Sequence, residues 1–207
     1  NLGMALCDIC LEGTYQDDQG SSGCKLCPSG FFCPYGSAAP IPASCDPGTY
    51  VPGVFTSKAD CIDCPAGYAC AGGPSQATIC LPGNIAPLSR PTADRAQCAK
   101  CAAGKFQEAE GATACDTCTA GSYCKQGASA ALPCLSGSYS STSGLGEASS
   151  CTDCPKGSAC STGSTAHVLC APGTFAASEK AKTCTNCPAG TYQDAPGATA
   201  CKQCIAG

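Results

Sequence analysis

The sequence predicts a small disulfide-rich repeat array, mostly coil with short two-stranded β-hairpins, drawn out as an elongated rod with almost no helix. Three observations predict it. Cysteine fills 24 of 207 positions, above the share that marks a disulfide scaffold. Leu, Ile, Val and Phe together make up only about an eighth of the chain, too little for a conventional core. The cysteines also recur on a fixed beat, the signature of a repeat architecture. Ordering costs roughly 1.5 kcal/mol per residue, so covalent cross-links have to supply what apolar burial does not.

The beat is set by eight Cys-x-x-Cys pairs, at Cys7/Cys10, Cys24/Cys27, Cys61/Cys64, Cys98/Cys101, Cys115/Cys118, Cys151/Cys154, Cys184/Cys187 and Cys201/Cys204. A short unit of 17 residues starts at Cys7, Cys98 and Cys184. A long unit of 33 to 37 residues, with two extra cysteines, starts at Cys24, Cys61, Cys115 and Cys151. The order short-long-long divides the chain into an upstream flank (1–6), a super-repeat (7–97), a second (98–183) and the start of a third (184–207). The run from Gly111 to Cys115 recurs letter for letter from Gly197 to Cys201, and Tyr15-Gln16-Asp17 recurs as Tyr192-Gln193-Asp194.

Inside the units, a Gly-x-aromatic step follows one cysteine at a fixed offset. It is read at Gly13/Tyr15, Gly48/Tyr50, Gly104/Phe106, Gly137/Tyr139, Gly173/Phe175 and Gly190/Tyr192, with Ile85 replacing the ring after Gly83. Glycine suits a tight turn with positive φ, and the ring two residues on is expected to lie over a neighbouring disulfide as a miniature core. No window keeps apolar residues at helical spacing between the Gly, Pro and Cys residues.

Small rings closed within a Cys-x-x-Cys make poor structural staples. Joining the remaining consecutive cysteines gives Cys10–Cys24, Cys45–Cys61, Cys80–Cys98, Cys101–Cys115, Cys134–Cys151, Cys170–Cys184 and Cys187–Cys201. It also gives four small loops, Cys27–Cys33, Cys64–Cys70, Cys118–Cys124 and Cys154–Cys160, each with a Gly at its third interior position. Cys7 and Cys204 are then left over, as the ends of an excised segment would be. A crossed ladder, Cys7–Cys24 with Cys10–Cys27, remains the rival, because connectivity is not fixed by spacing.

Other chemistries find little support. Cys7, Cys10, Cys24 and Cys27 approach a zinc-ribbon spacing, but Cys33, Cys45, Cys70 and Cys80 would be stranded and there is one His. His167 has no partner pattern for a triad and reads as a solvent-facing loop residue. Asp17-Asp18 lacks the alternating ligands of a calcium loop. No catalytic, cofactor or metal site is therefore expected, and the chain is read as a non-enzyme. Its net charge of −4 disfavours nucleic acid or an anionic membrane as partner, and no apolar run is long enough to insert in a bilayer.

Cys187-Pro188-Ala189-Gly190-Thr191-Tyr192, preceded by Cys184 and followed by Gly197 and Cys201-x-x-Cys204, resembles the cysteine-rich repeats of ephrin receptors. It is also similar to tumour-necrosis-factor-receptor modules. The resemblance covers nearly the whole chain; the Cys-x5-Cys loops of the long units depart from the simple pattern. It implies elongated rods of stacked modules, as in receptor stalks, mastigoneme (flagellar hair) proteins and protist surface proteins.

Two functions fit. One is an extracellular structural segment that assembles into a filament or surface fibre, with itself or other fibre proteins as partner. The other is a receptor or adhesion stalk that binds a protein ligand. Only 13% of residues are charged, against a usual surface share of about 25–35%. Neighbouring chains or O-glycans are expected to cover the rest, and Ser136–Ser150 and Ser161–Thr165 are the candidate glycan stretches. The absence of Trp, with Arg90 and Arg95 the only Arg, favours the fibre over a hot-spot binding face. Cysteine usage places the chain outside the cell or on its surface, and the resemblance extends this to a flagellar appendage.

Overall fold

The computed structural model of the protein describes residues 9–28, 31–42, 45–53, 58–73 and 75–205. The expected flank 1–6, Cys7 and Gly30 lie outside them. Among the described residues there are eleven two-stranded antiparallel sheets, every strand two residues long, and no α-helix. Three 3-10 turns, Lys58–Asp60, Thr92–Ala96 and Ala148–Ser150, complete the regular structure.

Each sheet is one hairpin, numbered here along the chain. Hairpin 1 pairs Thr14–Tyr15 with Lys25–Leu26, and hairpin 2 pairs Phe31–Phe32 with Ile41–Pro42. Thr49–Tyr50 with Ile62–Asp63 forms hairpin 3, and Tyr68–Ala69 with Thr78–Ile79 forms hairpin 4. Hairpin 5 joins Asn84–Ile85 to Ala99–Lys100, and hairpin 6 joins Lys105–Phe106 to Asp116–Thr117. Ser122–Tyr123 with Leu132–Pro133 and Ser138–Tyr139 with Thr152–Asp153 are hairpins 7 and 8. The last three are Ser158–Ala159 with Val168–Leu169, Thr174–Phe175 with Thr185–Asn186, and Thr191–Tyr192 with Lys202–Gln203.

Two ladder pairs cannot hold an isolated hairpin in water. A disulfide does so in every one. Its first half-cystine stands three residues before the turn glycine wherever that glycine is described, and its partner occupies one of two places. In hairpins 1, 3, 5, 6, 8, 10 and 11 the partner directly precedes the second strand and clamps the base: Cys10–Cys24, Cys45–Cys61, Cys80–Cys98, Cys101–Cys115, Cys134–Cys151, Cys170–Cys184 and Cys187–Cys201. In hairpins 2, 4, 7 and 9 it follows the first strand and clamps the turn: Cys27–Cys33, Cys64–Cys70, Cys118–Cys124 and Cys154–Cys160. Cα separations run from 5.6 to 6.2 Å, ordinary for a cystine. The small Cys-x5-Cys loops are thus the same hairpin with one cysteine moved, and each long unit is two hairpins.

The chain forms two compact units, Asn1–Leu81 with Ile85–Ala99 and Glu110–Ala114, and Pro82–Asn84 with Lys100–Ala109 and Cys115–Gly207. In both, main-chain bonds tie each hairpin to the next. The turn glycine N–H donates forward, as from Gly48 to the Cys70 carbonyl (2.8 Å) in the first unit and Gly104 to Cys124 (2.8 Å) in the second. A return bond runs from a loop glycine back to the preceding hairpin's first half-cystine, as from Gly73 to Cys45 and from Gly144 to Cys118, both 2.8 Å. Backbone groups that such short strands would leave unpaired are satisfied between hairpins.

The core follows the same register. Among the described residues, fourteen of the seventeen buried hydrophobics are half-cystines, and the other three are Val51, Ala86 and Ala176. Those three, like the buried Ser140, occupy the position three after the turn glycine that Cys33, Cys70, Cys124 and Cys160 take in the turn-clamped hairpins. The rings expected to form the miniature core stand one position earlier. Tyr15, Tyr50, Phe106, Tyr139 and Phe175 are half-buried, and Tyr192 is 43% exposed. Side chains alternate along a strand, so the residue after the ring turns into the stack and the ring covers its flank.

The described turn glycines share φ between +75° and +92°. At Gly157, φ is +75° and a methyl would overlap the carbonyl oxygen of Gly197, two hairpins on. Gly104 meets the Gly144 carbonyl in the same way. The loop position that supplies this carbonyl is glycine at 111, 127, 144, 163 and 197, but Thr92 fills it opposite Gly48 and Lys180, with φ +63°, opposite Gly137.

These contacts set expected stabilities. Gly157→Ala combines left-handed strain with displacement of the Gly197 carbonyl and is expected to cost at least about 2 kcal/mol. Lys180→Gly relieves the strain against a looser unfolded chain, for a gain of about 0.5 kcal/mol. Guanidinium unfolding of the disulfide-intact protein checks both, and an unchanged midpoint for Gly157→Ala contradicts the interlock.

Candidate functional site

The hydroxyl in the turn has a structural use. Thr14, Thr49, Thr174 and Thr191 each donate at 2.7 Å to the carbonyl three residues earlier, and Ser122 and Ser138 do so at 2.7 and 2.8 Å. This bond supplies the reason for Thr or Ser between the glycine and the ring. The sequence showed the residue type without its partner.

Three hairpins, 1, 6 and 11, carry Gln three after the turn glycine. Gln193 donates to the Ala200 carbonyl at 2.8 Å and accepts from the Asp194 and Ala195 N–H groups. Gln16 likewise reaches the Gly23 carbonyl and accepts from the Asp18 N–H, and Gln107 accepts from Ala109. Beside these pins, Lys25 pairs with Asp17 at 2.5 Å and Asp18 at 2.8 Å, and Lys202 pairs with Asp194 at 2.6 Å. The Lys202 ammonium also lies 5.7 Å from the Tyr192 ring centroid. The repeated Tyr-Gln-Asp run is therefore a loop lock on the surface, and Asp17-Asp18 is a lysine partner.

Arg95 was missed as a structural residue. It is 4% exposed and lies in the Thr92–Ala96 turn of hairpin 5. Its guanidinium donates to the Cys64 carbonyl at 2.6 Å, to Asp63 at 3.2 Å and to Thr92 Oγ1 at 3.0 Å, and its own carbonyl accepts from Cys70 at 2.9 Å. One side chain thus fastens the loop of hairpin 5 to hairpins 3 and 4. No periodicity marks it in the sequence.

His167 is exposed, with its ring edge-on to Tyr139 at 5.4 Å and 65°. Cys204 is exposed and unpaired among the described residues. In the second unit a shallow groove of about 750 Å³ is floored by Ala102, Ala103, Gly146 and Ala148 and edged by Lys125 and Glu147. No helix among the described residues is long and apolar enough to cross a membrane.

The model of the family described as tyrosine-protein kinase ephrin type A/B receptor-like matches residues 1–39 and 157–204. Two relatives, from mouse and rat, bear the name Sushi, von Willebrand factor type A, EGF and pentraxin domain-containing protein 1. Each is 30% identical to this chain over 122 residues, 57% of its length, and the chain spans 3% of theirs. With the eleven cystines of the fold, these matches make the chain a cysteine-rich repeat of extracellular type.

Two measurements test the pins. Lys202 holds the Asp194 carboxyl below its ordinary 3.8, so the contribution of Asp194 is complete above that value and lost as pH falls through the lower folded one. The hydrogen bond to Asp194 raises Lys202 above 10.5, so its contribution is complete below 10.5 and lost as pH rises through the folded value. Protection of loop amides 194–200 is therefore expected to be flat from about pH 4 to about pH 10 and to fall outside it, read by NMR saturation-transfer exchange. Arg95→Ala leaves the Cys64 carbonyl unpaired and is expected to cost about 1–3 kcal/mol in chemical unfolding.

Proposed function

We propose that the chain is a non-enzymatic structural segment of an extracellular protein, a disulfide-stapled rod that assembles into a filament or surface fibre of the flagellar-hair kind. The observation that carries the reading is where the chemistry-bearing groups go. Cysteines are spent on one clamp per hairpin, turn hydroxyls on capping carbonyls, and the Gln, Lys and Asp side chains of hairpins 1 and 11 on locking their own loops. Ala, Gly, Ser and Thr make up nearly half of the exposed described residues, beside large apolar side chains such as Leu26, Leu135 and Val168, a surface that suits coverage by copies of itself, by other fibre proteins or by O-glycans.

A second reading, an adhesion or receptor stalk that binds a protein ligand, is favoured by the relatives, whose name combines Sushi, von Willebrand factor type A, EGF and pentraxin domains. The two readings differ in what intact native material looks like. Fibres in negative-stain images, with small-angle scattering of the segment well above the roughly 17 Å radius of gyration of a compact globule, are expected for the first. A dispersed monomer of about that radius overturns it and favours the ligand-binding stalk.

A further inference from the structure

The loop of hairpin 8 presents hydroxyls that the fold does not use. It runs Ser140-Ser141-Thr142-Ser143-Gly144-Leu145-Gly146-Glu147 between the first strand and the 3-10 turn Ala148–Ser150. Ser140 is 3% exposed, and its hydroxyl donates to the Thr142 carbonyl at 2.9 Å and meets Thr142 Oγ1 at 3.3 Å. Ser141, Thr142 and Ser143 are exposed. Ser143 Oγ has no hydrogen-bond partner among the described residues.

The backbone beside Ser143 is nevertheless held. The Gly144 N–H donates to the Cys118 carbonyl, and the Leu145 carbonyl accepts from the Cys124 N–H, both at 2.8 Å. Gly144, next to Ser143, has φ +77° and is exposed, so no side chain stands on the residue that follows the hydroxyl, and Leu145 beyond it is half-buried. The groove floored by Ala102, Ala103, Gly146 and Ala148 begins three residues on, with Lys125, Gln126 and Glu147 at its edge. Its volume of about 750 Å³ lies within the range of roughly 300–1,000 Å³ typical of small-molecule sites.

The other hydroxyl-rich stretch differs. Ser161 and Ser164 occupy each other at 3.1 Å, and Thr165, though exposed, turns its methyl to Gly121. The turn threonines are committed to their carbonyls.

We propose that Ser143 is an O-glycosylation site and that the adjoining groove receives the attached sugar. In the transfer, Ser143 Oγ attacks the anomeric carbon of a nucleotide-diphosphate sugar. The new C–O bond forms as the sugar–phosphate bond breaks, the nucleoside diphosphate leaves with the electron pair, and the hydroxyl proton passes to a base of the glycosyltransferase. The sugar hydroxyls meet Lys125, Gln126 and Glu147 along the groove edge, and the glycan gives this low-charge face the hydration its side chains do not supply. The site rests on the secretory part of the reading above, not on fibre formation.

Electron-transfer mass spectrometry of the protein secreted by its natural host tests it, on the tryptic peptides 126–156 and 157–180 and with free thiols counted in the same sample. A hexose or pentose mass on Ser143 is expected in most molecules. Ser143→Ala is expected to lower occupancy of peptide 126–156 at least tenfold with the thiol count unchanged, whereas Ser161→Ala leaves that occupancy as in the parent. Closed disulfides with a bare peptide overturn the site and leave the secretory reading standing, and sugar confined to Ser161–Thr165 overturns it equally. Reduced thiols overturn the secretory reading and the site with it.

Discussion

The cystine that begins three residues before each turn glycine is the constraint on which the other features depend. It fixes where the turn begins, and so which residue faces inward three positions after the glycine. It also brings its own carbonyl to the point where the next hairpin's loop N–H donates, as Cys118 receives Gly144 and Cys154 receives Lys180. Without that anchor a hairpin of two ladder pairs has no reason to persist, and the return bonds have nothing to bond to. The sulfur is also the filling: hairpins too short to enclose aliphatic side chains bury cystine between them, and all eight half-cystines of the turn-clamped class are buried.

Much of this was legible because it is periodic. Cysteine spacing and the Gly-x-aromatic step both announce the hairpin, whereas spacing left the crossed ladder open until the structure joined Cys10 to Cys24 and Cys27 to Cys33. Two things were not readable by counting. The four Cys-x5-Cys loops look like a separate motif because the second cysteine moves from the base of the hairpin to the position after the first strand, although Gly67, Gly121 and Gly157 keep their offset from the first. The ring was also a misleading guide to the core, since the inward position is the next one, where Val51, Ala86, Ser140 and Ala176 carry no shared chemistry for the eye to find.

The rest was illegible for a different reason: it depends on residues meeting across hairpins. Glycine at 104 or 157 is demanded by a carbonyl about 40 residues away in sequence, and a single chain offers no sign of which residue that will be. Arg95 is the same case. An isolated arginine in a Thr-Ala-Asp-Arg-Ala run looks like a solvated helical turn, yet the stack surrounds it and supplies Cys64 and Asp63 as acceptors. A desolvated guanidinium is tolerated where a carbonyl and a carboxylate both meet it.

The two clamp positions also decide where the surface can vary. A base clamp ties the two ends of the hairpin loop together, so sequence can be inserted between them without disturbing either strand: the Ala148–Ser150 turn is exposed, while Thr92–Ala96 folds back on hairpins 3 and 4 through Arg95. A turn clamp leaves the approach to the second strand unfastened, and that strand is held by its two ladder pairs and by contacts with later loops. In the second unit these strands are Leu132–Pro133 and Val168–Leu169, met by Gly163 and Gly197 respectively. They carry no charge, while six of the seven base-clamped second strands do. Contact with a backbone glycine rewards an apolar side chain on the near side, and the same pair of residues leaves Leu132, Val168 and Leu169 half in water on the other. Alternating the clamp thus distributes two kinds of surface along one scaffold: polar loops that can lengthen and carry modifications, and short apolar edges that cannot.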